Sequence, residues 1–175
     1  MPLFSFEGSA PEVHPGAWIA PTATLVGDVH VEEGASVWYN AVLRADFGPI
    51  IVRTGANVQD CSVVHGGEEA TVIGPDATVG HSCVVHGAEV GAQALIGNGA
   101  VVQDGAVIGD RALVAAGAVV TPGTRIPEES VATGTPATVR GPLSGSAVWW
   151  VDNNPRTYRD LARRHSEGSR PAGDV

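Results

Sequence analysis

The sequence predicts a mainly β fold, a solenoid of very short strands followed by a short C-terminal α-helix. Three observations predict it. Aliphatic residues recur every six positions from Ile19 to Ile126, a small or aliphatic residue falls four positions after most of them, and glycine reaches 23 while aromatics stay at 5%. A period of six is neither the 3.6 of a helix nor an unbroken alternation. It fits strands of two or three residues punctuated by turns, each sending one aliphatic and one small residue inward. A core built from Val and Ala suits thin stacked layers. A β-sandwich spaces its strands roughly 8–12 residues apart and keeps no six-residue register.

The repeat runs Ile19, Leu25, Val31, Val37, Leu43, then Val52, Val58, Val64, then Ile73, Val79, Val85, and finally Val90, Ile96, Val102, Ile108, Val114, Val120, Ile126. Residues such as Ala35, Ala56, Ala77, Cys83, Ala100 and Ala112 hold the small position. Turn formers fall between, as in Ile108-Gly109-Asp110. Leu43 to Val52 and Val64 to Ile73 are each three residues too long, which brings out Asp46-Phe47-Gly48-Pro49 and Gly66-Gly67-Glu68-Glu69 as loops. The pattern resembles the hexapeptide-repeat proteins, and the resemblance implies a left-handed parallel β-helix with three hexads per coil. Residues 1–141 then form the β-helix domain, with its repeat core over about 17–131. Residues 133–142 are expected to be an irregular connection. A helical appendage follows over 142–165, in which Asn154 caps, Pro155 takes the first helical position, and Trp149 and Trp150 pack on the solenoid ahead of it. Residues 166–175 read as a disordered tail.

Composition excludes several partners. The charge is −9, all ten basic residues are Arg, and no basic cluster exceeds Arg163-Arg164, so neither nucleic acid nor an anionic membrane is expected. The start, Met1-Pro2-Leu3-Phe4, has no signal-peptide pattern and no run approaches a membrane span, so a cytoplasmic location is expected. Cys61 and Cys83 form no CxxC and read as small buried hydrophobes in a reducing compartment.

Three histidines carry the chemistry. With three hexads per coil, the strands at Leu43, Val64 and Val85 lie one above another, so the outward residues Arg44, His65 and His86 form a column with Gln103 above. Coils stack about 4.8 Å apart, so the two imidazoles can converge on one ion. His81 lies at a corner of the preceding face and is not expected to reach that ion within its own chain. In a rotational oligomer it can complete the site of a neighbour. His14, His30 and His165 have no register partner and read as ordinary surface or packing residues.

Arg44-Ala45-Asp46, Asn57-Val58-Gln59-Asp60, His65 and Gly80-His81-Ser82-Cys83-Val84-Val85-His86-Gly87 together resemble the signature of the γ-class carbonic anhydrase-like family. The resemblance implies a homotrimer with zinc, or Fe2+ or Co2+, between subunits. His65 and His86 of one chain and His81 of the next would be the ligands. It implies that Gln59 orients the metal-bound water, that Asn57 lies nearby, and that Arg44 and Asp46 form ion pairs holding subunits together. Zinc lowers the pKa of its water from 15.7 to about 7, and the resulting hydroxide would hydrate carbon dioxide to bicarbonate, making the protein a zinc lyase acting on a small molecule. The most active members have a glutamate where Phe47 stands and a longer acidic loop than Gly66–Glu69. Proton export is therefore expected to be slow, with Glu68 or Tyr158 as candidate carriers. The rival readings are a hexapeptide acyltransferase, an acyl-CoA thioesterase and a non-catalytic metal-binding structural protein.

Overall fold

The computed structural model describes residues 2–173. Its strands stack in parallel into three ladders that share one interior. In the first, Leu43, Val64, Val85, Val102 and Val120 stand in register. In the second, Val52, Ile73, Val90, Ile108 and Ile126 do so. The third aligns Ile19, Val37, Val58, Val79, Ile96 and Val114. Three hexads therefore make one coil. The hexad aliphatics from Ile19 to Ile126 are at most 9% exposed, and Ala35, Ala56, Ala77, Ala100 and Ala112 at most 1%. The narrow interior explains the pairing of one aliphatic with one small residue: two large side chains per strand would overfill it.

The corners need a residue in the left-handed backbone region. Asn40, Cys61 and Ser82 take it on three successive coils (φ 59°, 60° and 56°), and Gly99 and Gly117 take it on the next two. This geometry corrects one expectation. Cys83 is buried, but Cys61 is exposed, because its corner backbone turns the side chain away from the interior.

The last coil ends differently from the expected irregular connection. Thr138–Pro142 folds back antiparallel on Ser130–Thr133, closing an otherwise open parallel edge.

The helix, α1, spans Ser146–Gly168 and is longer than the sequence reading expected. Pro155 lies in its interior, not at its first position, and Asn154 is no cap. A proline lacks the N–H that would bond the carbonyl four residues back, here that of Val151. Gln93 Nε2 on the solenoid donates to that carbonyl at 3.4 Å, so the helix continues. Trp149 and Trp150 lie within the helix instead of ahead of it and are half-exposed, with Trp150 facing the solenoid across a groove. Helical residues 166–168 lie within the expected tail; residues 174 and 175 fall outside the described residues.

Two ion pairs and an aromatic cluster dock the helix. Arg111 Nη1 meets Asp152 at 2.8 Å, and Arg159 pairs with Asp76. Trp38 stacks edge-on against Trp18, Tyr158 and His165 with centroids 4.8, 5.2 and 5.2 Å away, and the Tyr39 hydroxyl meets His165 Nδ1 at 3.0 Å. Trp38 is 4% exposed and central to this joint. Trp38→Ala is expected to destabilise the protein by about 3–5 kcal/mol, read by urea unfolding, and to loosen α1 first, read by hydrogen exchange along it.

Candidate metal centre

The first ladder places Arg44 opposite His65 and His65 opposite His86. The two rings lie 4.7 Å apart, and His65 Nδ1 faces His86 Nε2 at 2.8 Å. The other nitrogen of each ring meets a carboxylate: His65 Nε2 meets Asp46 Oδ2 at 3.0 Å, and His86 Nδ1 meets Asp104 Oδ1 at 2.7 Å. Asp46 also accepts from Arg44 of the same chain, so this pair is internal to one chain here.

These contacts test whether the residues suit a cation. A neutral imidazole has one N–H, and the carboxylates draw it to the outer nitrogen of each ring. The two facing nitrogens then both carry lone pairs and repel at 2.8 Å. A cation ligated by both relieves that repulsion and leaves all four nitrogens satisfied. Burial, and then the nearby charges of Arg44 and His86, hold the His65 pKa below that of a free imidazole. This shift favours the neutral form a metal requires. The residues fit a borderline metal that favours nitrogen ligands.

His81 stands elsewhere. Its Nδ1 meets Asp60 Oδ2 at 2.9 Å, its Nε2 meets the Tyr158 hydroxyl at 3.3 Å, and Asn98 Oδ1 accepts its backbone N–H at 3.1 Å. Burial, followed by the charge of Asp60, raises the Tyr158 pKa. Within one chain, no group of three or more His, Cys, Asp or Glu side chains suited to a metal gathers among the described residues.

Gln59 is with His81, not with the histidine pair. Both border a groove of about 660 Å³ between α1 and the third ladder, with Leu95, Leu113, Trp150 and Tyr158 among its walls. Gln59 is 2% exposed, and its Nε2 donates to Asn57 Oδ1 at 3.0 Å. Asn57 Nδ2 donates in turn to Thr78 Oγ1 at 3.0 Å. This chain of donors fixes the Gln59 amide with its carbonyl oxygen free to accept. Asn57 is fully buried and lies behind Gln59. Glu68 is exposed on the loop beside the histidine pair, where Gly48 N–H donates to Gly67 O at 2.6 Å. Phe47 is 74% exposed with its ring 6.2 Å from that of His65.

Asp60 and Asp104 are the residues the sequence reading passed over. Gln103 was expected above His86, but the side chain that reaches it is that of Asp104. Strand register alone does not point to it: Val85 pairs with Val102, which puts Gln103 above His86, and Asp104 is the next residue, reaching back from the turn.

The fold and this arrangement define a hexapeptide-repeat solenoid, and comparison with known proteins agrees. Residues 87–122 match the bacterial transferase hexapeptide (six repeats) family. The chain is 39% identical over 177 residues to the mitochondrial gamma carbonic anhydrase 1 of Arabidopsis thaliana, covering 97% of this chain and 64% of that protein, so it spans less than two thirds of the plant relative. It is 39% identical over 165 residues to the carnitine operon protein CaiE of Escherichia coli, covering 94% of this chain and 84% of that protein. A hexapeptide transferase family protein from Anaplasma phagocytophilum superposes with a TM-score of 0.89 at 36% identity, over 93% of this chain and 96% of that one. The chain belongs to the γ-carbonic anhydrase-like family of hexapeptide-repeat proteins.

Proposed function

We propose that this protein is a metal-dependent carbon dioxide hydratase, a carbonic anhydrase-like lyase with its sites between the subunits of a homotrimer. The observation that carries the reading is the pair of facing nitrogens on His65 and His86, each ring braced by a carboxylate, with His81 braced in the same way at a distant corner. His65 and His86 of one chain and His81 of another would hold the ion. Zinc, Fe2+ or Co2+ there would supply a polarised water able to act as a nucleophile near neutral pH. Gln59, held by Asn57, would accept a hydrogen bond from that water and orient it toward carbon dioxide. Glu68 and the Tyr158 hydroxyl are the groups available to carry the released proton outward. The exposed side chains of Val63 and Val84, stacked on the histidine ladder, support a covering second copy. Arg44 and Asp46 lie at that boundary.

Hydration is expected to be slow and limited by proton export, because Phe47 places no titratable group beside His65. Stopped-flow hydration on the zinc, Fe2+ and Co2+ forms checks this. The rate should rise with the concentration of a small imidazole buffer. Metal-loaded protein with no hydration above background at any buffer concentration would overturn the reading.

One observation favours a second reading. A groove of about 660 Å³ with apolar walls beside His81 is far larger than carbon dioxide needs and suits an acyl thioester. Hydrolysis of acyl-CoA by the same metal-loaded protein, with carbon dioxide hydration absent, would establish it. Among the described residues no helix is long and apolar enough to cross a membrane.

A further inference from the structure

We infer that Asp104 is a positioning residue of the metal centre, whose carboxylate holds the His86 ring so that Nε2 faces the point shared with His65. This rests on the metal reading above. Imidazole can present either nitrogen to a metal, and rotation of the ring exchanges them. The 2.7 Å contact from His86 Nδ1 to Asp104 Oδ1 favours one arrangement, with the proton on Nδ1 and the lone pair on Nε2.

The backbone around Asp104 leaves room for this contact. Gly87, directly after His86, has φ +54°, and a Cβ there would lie 2.5 Å from Asp104 Oδ1. Gly105 N–H donates to Gly87 O at 2.7 Å, which ties the coil bearing Asp104 to the coil bearing His86. The carboxylate therefore passes a backbone with no side chain to reach the ring. Asp46 braces His65 in the same manner, but it also accepts from Arg44, so its removal would free two groups. Asp104 offers the cleaner test.

An exposed Asp–His pair contributes little to folding. A positioning role and a structural role therefore separate by experiment. Co2+ would be titrated into the metal-free protein and followed by its visible absorption, with a competing chelator setting the affinity. Asp104→Ala should weaken Co2+ binding by roughly 10–100-fold. The absorption of the bound ion should change, and the melting temperature of the metal-free protein should not. Asp104→Asn keeps an acceptor without the charge and should recover part of the affinity. Asp104→Ala binding Co2+ within twofold of wild type would overturn the inference and leave the metal reading standing. Weakened binding accompanied by a lower metal-free melting temperature would overturn it in favour of a structural role. Wild-type protein that takes up no Co2+ would overturn both.

Discussion

Mixed assemblies of His81→Ala chains with His86→Ala chains are expected to recover metal that neither variant holds alone. Each variant by itself lacks one ligand at every site, so each should purify with essentially no bound ion. In a mixture, a chain carrying His81→Ala still presents His65 and His86, and a chain carrying His86→Ala still presents His81. Wherever the face of the first meets the corner of the second, the ligand set is whole. Random assembly of equal amounts into a ring makes about a quarter of the boundaries intact. Metal analysis after denaturing and refolding the two chains together should therefore give about a quarter of the wild-type content. The basis is geometric: the His65 and His86 rings face each other at 2.8 Å, while His81 is engaged by Asp60 and Tyr158 at another corner. Mixtures that exchange subunits yet stay free of metal would show that one chain supplies every ligand.

Gln59→Ala is expected to retain metal and lose most of its hydration activity, by roughly 10–100-fold. The Gln59 amide is fixed by donating to Asn57, which donates onward to Thr78, so its carbonyl oxygen is presented to the groove without freedom to rotate. Its removal should slow the chemical step itself, so added imidazole buffer should not restore the rate. A proton-transfer defect would respond to buffer, which separates the two cases. Asn57→Ala should act in the same direction through Gln59. It should also cost about 1–3 kcal/mol of stability, because the buried Nε2 of Gln59 then has no acceptor. Full activity in Gln59→Ala would remove this residue from the mechanism.

Much of this was legible in the amino-acid order because a solenoid converts position along the chain directly into position in space. A six-residue period with three hexads per coil puts residues eighteen apart on top of one another, and a three-residue insertion stretches that to twenty-one. Arg44, His65 and His86, each twenty-one apart across one insertion, therefore form a column. The two three-residue insertions likewise had to emerge beside that column.

Side-chain direction at corners and long-range rescue of local breaks were not legible. Cys61 has the composition of a buried residue, yet the left-handed corner turns it outward. Pro155 follows the local rule for a helix start, but Gln93, far away in sequence, takes the Val151 carbonyl that the proline leaves open, and the helix extends back to Ser146. The sequence by itself determined the interior of this protein and the address of each histidine, since both follow from a strict repeat. Only the tertiary structure decided which carboxylate braces each ring, that Asn57 is buried behind Gln59 as its acceptor, and where α1 brings Tyr158 against His81. Those contacts depend on rotamers and on packing between segments far apart in the chain, which no local pattern encodes.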